Sequence, residues 1–303
     1  MSAQTREASR FFRATVSTVT DLTPSFRRFT FTAVDFDQYG DTGWDQRIKI
    51  VFPTPTVGLD AMPTGPDWFS AWRALPEDKR PPFRTYTTRA VRHADREVDV
   101  DMVAHDVRGP ASAWIERARP GDEVLIFAPT SAHEGVSYGI DFVPPARVDD
   151  ILLAGDETAA PAIAVILEQL PRTARGVVVL EVPEDGDLGY LPTHPGFDVC
   201  VAARGGGERH AHLVPMVTEV AGRLVPDGRG ADVEEIDIES QILWEVPRTA
   251  KGGAALKSAA VYAWLAGEAS GIKALRRHMV SERGVDRRAV AFMGYWRLGR
   301  AEV

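Results

Sequence analysis

Three times after residue 148 a short apolar stretch runs directly into a glycine-bearing turn. Residues 151–154 lead into Gly155-Asp156-Glu157-Thr158, 197–202 lead to Arg204-Gly205-Gly206-Gly207, and 261–266 lead into Gly267-Glu268-Ala269-Ser270. A further apolar run covers 176–182. Helices are expected over about 159–170, with Thr158 as N-cap, and from Ser270 to about Arg283, ending at Gly284. Strands alternating with helices demand a mostly parallel sheet, which binds ligands at the carboxyl ends of its strands.

Residues 10–130 have a different texture. Phe26, Phe29 and Phe31 sit among Arg28, Thr30 and Thr32; Ile48, Ile50 and Phe52 flank Lys49 and Val51; Val98, Val100 and Met102 alternate with Asp99 and Asp101. Residues 124–127 form another short apolar run. Period-two runs separated by Gly, Pro and Asp predict antiparallel strands in a barrel or sandwich. One helix is expected, opened by Gly109-Pro110-Ala111-Ser112, with Pro at its first position. The Pro- and Gly-rich stretch 52–82 is expected to be a long irregular loop. The 303 residues thus divide into a β domain over 1–145 and an α/β domain over 146–303, joined at the stiff segment Val143-Pro144-Pro145-Ala146-Arg147.

Lys and Arg number 35 against 43 Asp and Glu, a net charge of −8. That excess of acid opposes a general nucleic-acid or membrane-surface binder. The single cysteine, Cys200, excludes an internal disulfide and a Cys-ligated cluster. No metal-binding spacing joins the seven histidines, and no G-x-S-x-G elbow is present. The start lacks an apolar signal core and no stretch is long enough to span a bilayer, so the expectation is a cytoplasmic chain, acting as a monomer.

Two groups in the β half suit a diphosphate. Arg84-Thr85-Tyr86-Thr87 offers a guanidinium fork, a flat ring and a hydroxyl, although a solvated edge strand would use the same residues. The Gly109-Pro110-Ala111-Ser112 helix start offers free N–H groups, although ordinary helices begin this way too. In the α/β half, Gly155-Asp156-Glu157-Thr158 and Trp264-Leu265-Ala266-Gly267-Glu268 repeat one strand–Gly–acid–helix pattern without a G-x-G-x-x-G fingerprint. From 273 to 300 eight Lys or Arg face two acids, a local reversal of the overall charge. Such a run serves equally as a solvated face or as a steering surface for an anion.

Taken in order along the chain, these pieces resemble the siderophore-interacting protein family of FAD-dependent ferric-siderophore reductases. The resemblance rests on Ile48-Lys49-Ile50-Val51-Phe52-Pro53, Arg84-Thr85-Tyr86-Thr87, Gly109-Pro110-Ala111-Ser112, Gly155-Asp156-Glu157-Thr158, Tyr262-Ala263-Trp264-Leu265-Ala266-Gly267-Glu268 and Gly294-Tyr295-Trp296-Arg297. It implies an N-terminal antiparallel FAD-binding β-barrel followed by a parallel-sheet NAD(P)H-binding domain. FAD would be held by Arg84, Tyr86, Thr87, Asp101, His105, Gly109, Ala111, Ser112 and Thr158. NADPH or NADH, as electron donor, would lie near Asp156, Glu157, Gly267, Glu268 and Trp296. A ferric siderophore would face Lys49, Lys273, Arg276 and Arg277. The implied activity is reduction of the chelate with release of Fe(II), because hard oxygen donors hold Fe(III) far better than Fe(II). No side chain is needed as an acid or base. Two other functions fit the same features: a general flavin reductase or diaphorase, and a non-catalytic siderophore carrier. Arg204, beside three glycines, is a candidate for a 2′-phosphate or simply part of a loop.

Overall fold

The computed structural model describes residues 8–104, 109–131, 139–225, 234, 236–238 and 241–299. Two compact units divide the chain, one ending at Ile140 and the next beginning at Asp141.

The first unit contains β1 (Ser9–Asp21), β2 (Phe26–Thr32), β3 (Arg47–Val51), α1 (Trp68–Ala74), β4 (Phe83–Thr87), β5 (Ala90–Arg92), β6 (Glu97–Val103), α2 (Pro110–Arg117) and β7 (Glu123–Pro129). Its seven strands form one antiparallel sheet in the order β4-β3-β7-β1-β2-β6-β5. The two outer strands, β4 and β5, are consecutive in the chain and separated only by residues 88–89. Thr88 N donates to Gln46 O at 2.9 Å and Arg89 N to Asp99 O at 2.9 Å. One short link therefore bonds to both ends of the sheet, so the sheet must curl until its edges meet, as a barrel does. The inward side of the alternating strands carries Phe12, Phe29, Phe31, Ile48, Ile50, Val98, Val100 and Ile126, all buried. Phe52 and Trp114 of α2 complete this core, and each such side chain contributes about 1.5–3 kcal/mol by leaving water.

The stretch 52–82 is not the irregular loop its Pro and Gly content predicts. It holds α1 and two 3₁₀ turns. The reason is aromatic spacing: Trp68 and Trp72, four apart, lie on one helical face. Trp68 packs edge-on against Phe11 and Phe83 at 5.3 and 5.7 Å, and Trp72 meets Phe83 at 4.8 Å. A second, smaller core forms there with Val51, Leu59, Met62 and Leu125.

The second unit contains β8 (Arg147–Gly155), α3 (Ala160–Gln169), β9 (Gly176–Val182), β10 (Phe197–Ala203), α4 (Leu213–Leu224), β11 (Trp244–Glu245), β12 (Ser258–Glu268), α5 (Ala269–Arg276) and β13 (Val290–Trp296). Its strand order is β10-β9-β8-β12-β13-β11, parallel throughout except for the last pair. Every residue of β9 is buried, as a strand covered on both faces requires. Gly176 is obligatory there, because a Cβ would stand 1.9 Å from Ile151 O. The chain leaves α5 through a π-helical segment, Arg277–Glu282, and turns at Gly284 with φ +70°. Thr158 does not cap α3. The N-cap is Ala159, with no side-chain cap, and the Thr158 hydroxyl is bonded to Asp156 instead. Among the described residues no helix is long and apolar enough to cross a membrane.

Candidate functional site

In the first unit, alternation along β4 separates two sets of side chains. Tyr86 faces inward, with its ring edge-on to Phe52 at 6.1 Å, and Trp114 of α2 meets the same Phe52 at 5.1 Å. One buried ring thus packs against both β4 and α2. Arg84 shares the Tyr86 side of the strand. It donates Nη1 to Phe83 O at 2.6 Å and has no carboxylate partner among the described residues. Gly109 stands in open space before Pro110, the helix makes no side-chain cap, and the Ser112 hydroxyl has no partner among the described residues. A cation, a free hydroxyl and an uncapped helix start form a donor set that fits a diphosphate. Ala111 is buried in the first turn of the helix, and Thr87 is buried on the opposite face of β4 from Arg84 and Tyr86, so its side chain does not join this set.

Asp101 does not join this set with its side chain. The carboxylate is fully buried and accepts from Arg28 Nε at 2.7 Å and Nη2 at 2.8 Å, with Arg89 Nε at 3.5 Å. It ties β6 to β2 as a structural ion pair. His105 lies outside the described residues.

Lys49 projects from the opposite face of the β3–β4 pair, as alternation with Ile48 and Ile50 demands. Its Nζ donates to Thr85 Oγ1 at 3.1 Å and lies 4.9 Å from the Phe83 ring centroid. The structure therefore does not bring Lys49 and Arg84 to one side of the sheet.

In the second unit, a polar network occupies the carboxyl ends of β8, β9, β12 and β13. Asp156, 1% exposed, accepts from Thr158 N at 2.9 Å, Thr158 Oγ1 at 2.5 Å, Glu268 N at 2.7 Å and Trp296 Nε1 at 2.9 Å. Gly267 permits this approach. Its φ is +150°, and a Cβ there would come 2.8 Å from Asp156 Oδ2. Glu157 is fully buried and accepts from Arg204 Nη1 and Nη2, both at 2.7 Å, and from Arg209 Nη1 at 3.0 Å. Arg204 is thereby paired with a buried carboxylate. Glu268 caps α5 through Ser270 N, and His210 Nε2 lies 3.1 Å from its Oε2. Glu181, inside β9, accepts from His210 N, His212 N and Leu213 N. Arg209 also covers the Trp296 ring at 4.6 Å.

Sequence reasoning missed Arg209, His210 and Glu181. Only Glu181 carried a signal, as a lone charge in an otherwise apolar strand. Arg276 is corrected as well. It is 4% exposed and gives Nε and Nη2 to Glu245 Oε1 at 3.1 and 2.8 Å, so it braces β11 rather than facing a ligand. Arg277 is exposed near Glu282 at 3.7 Å, and Lys273 is half-buried.

The network sets a pH dependence. Burial, reinforced by the Glu157 charge, raises the Asp156 pKa to about 6. Burial would lower His210, but its hydrogen bond to Glu268 and the surrounding carboxylates raise it. Burial would raise Glu268, but hydrogen bonds from His210 and Ser270 hold it down to about 2. The folded pKa values of Asp156 and His210 both exceed their unfolded values. Their stabilisation is complete at low pH and is lost as pH rises through those folded values. The Glu268 contribution is present above the ordinary Glu range and fades only as pH falls towards about 2. The melting temperature should therefore fall as pH rises from the ordinary Asp range through the Asp156 value of about 6, and fall further as pH rises through the raised His210 value. A flat calorimetric profile across that window would contradict this coupling.

Two family models match successive parts of the chain. A model described as the siderophore-interacting FAD-binding domain matches residues 15–133, and one described as siderophore-interacting protein matches residues 148–299. An uncharacterized protein of Mycobacterium tuberculosis is 33% identical over 284 residues, covering 93% of this chain and 88% of its own length. The ferric vibriobactin reductase ViuB of Vibrio cholerae is 26% identical over 275 residues, covering 91% of this chain and 85% of its own. The siderophore-interacting protein SipS of Aeromonas hydrophila superposes with a TM-score of 0.66 at 27% identity, covering 97% of this chain and 94% of that one. A barrel with a diphosphate-fitting donor set, a parallel sheet with its polar strand ends, and matches to both in chain order lead to one assignment: this chain belongs to the siderophore-interacting protein family.

Proposed function

We propose that the protein is an FAD-dependent reductase that uses NADPH or NADH to reduce ferric siderophores and so release Fe(II). The observation that carries this reading is the donor set of Arg84, Ser112 and the open Gly109 end of α2, none of it consumed by a carboxylate among the described residues. Those residues would hold the FAD diphosphate, with Tyr86 beside them as a flat face for a ring. Bound FAD would supply the conversion of a two-electron hydride donor into one-electron delivery to Fe(III). The chain's own work is to bind and orient. Thr158, which the resemblance implied for FAD, is bonded to Asp156 together with Glu268 and Trp296, and in this reading these three strand-end residues would take the pyridine nucleotide, where parallel α/β sheets bind ligands. The likeness to a protein named as a ferric vibriobactin reductase supports a ferric chelate as oxidant.

The reading is tested by the visible spectrum of the purified protein before and after anaerobic addition of NADH or NADPH. A flavin band that bleaches is the expected result. A colourless protein that still binds ferric siderophore would make it a carrier instead.

Lys49 serves the chelate in this reading, with Lys273 and Arg277 as further cationic candidates. Because Lys49 and Arg84 project from opposite faces, Lys49→Ala should raise the apparent KM for a ferric siderophore several-fold while flavin reduction stays intact. The loss should shrink with salt, since exposed charges are screened within about 10 Å at 0.1 M. Measuring both half-reactions decides it: equal loss in both would assign Lys49 to the fold, and no loss in either would make it a solvated cation.

A further inference from the structure

Asp156 lies in the motif that marks the nucleotide half, yet it touches no ligand space of its own. Its side chain is buried and all of its acceptor positions are used. Oδ1 takes the two Thr158 donors, at 2.9 and 2.5 Å. Oδ2 takes the backbone N–H of Glu268 at 2.7 Å and the indole N–H of Trp296 at 2.9 Å. These partners stand at the ends of three adjacent parallel strands, β8, β12 and β13. Thr158 and Trp296 are half-buried and so retain a face that a ligand can reach.

We propose that Asp156 is a positioning residue for nucleotide use: its one carboxylate holds Thr158, Glu268 and Trp296 in register, and Thr158 reports its protonation. The proposal rests on the oxidoreductase reading above. Three of the four donors, the two backbone N–H groups and the indole, can only donate. The Thr158 hydroxyl alone can reverse and accept. A proton added to Oδ1 therefore reverses the Asp156–Thr158 bond and leaves the clamp on Glu268 and Trp296 in place. The Thr158 hydrogen is then free to donate outward to a ligand.

Among the charged groups around Asp156, Glu157 favours this uptake while Arg204 and a protonated His210 oppose it. Glu157 adjoins it, although Arg204 and Arg209 neutralise that carboxylate. His210, Glu268 and Glu181 face the same strand ends. Burial leads in raising Asp156 to about 6, so the reversal falls in an accessible pH range.

Two readouts test the proposal on the full chain: Kd for NADH and NADPH by equilibrium dialysis, and Trp296 emission across pH, taken as wild type minus Trp296→Phe. Wild type should show an emission step near about pH 6. Asp156→Asn keeps the shape but has a single acceptor oxygen, so its amide confronts one pair of donors. It should abolish the step and weaken nucleotide binding about tenfold. Thr158→Val removes a donor that lowers the Asp156 pKa, so it should move the step to higher pH, and Thr158→Ser should keep it in place. If Asp156→Asn does not fold, the two Thr158 variants carry the test alone. An unchanged step or unchanged Kd in Asp156→Asn, or an unmoved step in Thr158→Val, overturns the positioning role. A wild type that binds neither nucleotide overturns the oxidoreductase reading instead.

Discussion

Replacing Glu157 by alanine should destabilise the second unit by about 3–5 kcal/mol, the usual cost of stranding a buried charge. The Glu157 side chain is fully buried and receives three charged hydrogen bonds, two from Arg204 and one from Arg209. Arg204 is itself only 8% exposed, with Glu181 at 3.9 Å and Asp156 as its other anionic neighbours among the described residues. Without Glu157 a guanidinium remains in a low-dielectric site with too few acceptors. The damage should extend to Trp296, because Arg209 bonds Glu157 and also covers that ring. Urea unfolding of the variant and the wild type, compared at equal m-value, measures the loss. A change below about 1 kcal/mol would mean that the pair is solvated and contributes as an exposed ion pair does.

Arg84→Ala should weaken FAD binding by roughly ten- to a hundred-fold, corresponding to about 1.5–3 kcal/mol for hydrogen bonds to a charged group. Among the described residues Arg84 bonds only the Phe83 carbonyl, so removing its side chain costs the fold little. Asp101→Ala makes the informative contrast. It strips Arg28 and Arg89 of a fully buried carboxylate and should lower stability without altering FAD affinity at fixed folded fraction. Flavin content after dialysis and the melting temperature separate the two variants. An Arg84→Ala protein with undiminished flavin would remove Arg84 from the diphosphate site.

Much of this was legible in the chain itself. Period-two alternation placed β2, β3 and β6, glycine turns placed β8, β10 and β12, and an unbroken apolar run placed β9, because those signals record which faces of an element are buried. Helix α1 was hidden because proline and glycine content outweighed the Trp68–Trp72 spacing. Strand β13 was hidden inside a tract that reads as basic, although residues 289–296 are apolar or small. The site residues divide in the same way. Motif position identified Asp156, Glu157, Glu268 and Arg84, but not what each carboxylate or guanidinium touches. Asp101 and Arg276 sit in suggestive sequence and are buried ion-pair partners. Arg209 and His210 come from a loop with no periodicity, so only the folded chain brings them to Glu157 and Glu268.

The most direct test of the account is a single anaerobic turnover. Protein reduced by NADPH or NADH and freed of excess nucleotide is mixed with a ferric siderophore in the presence of a ferrous-specific chelator. The flavin band should return as Fe(II) is trapped, with two Fe(II) formed per flavin reoxidised, because the donor pair is delivered one electron at a time. A flavin that stays reduced in the presence of the ferric chelate, or that reoxidises without any trapped Fe(II), would contradict it.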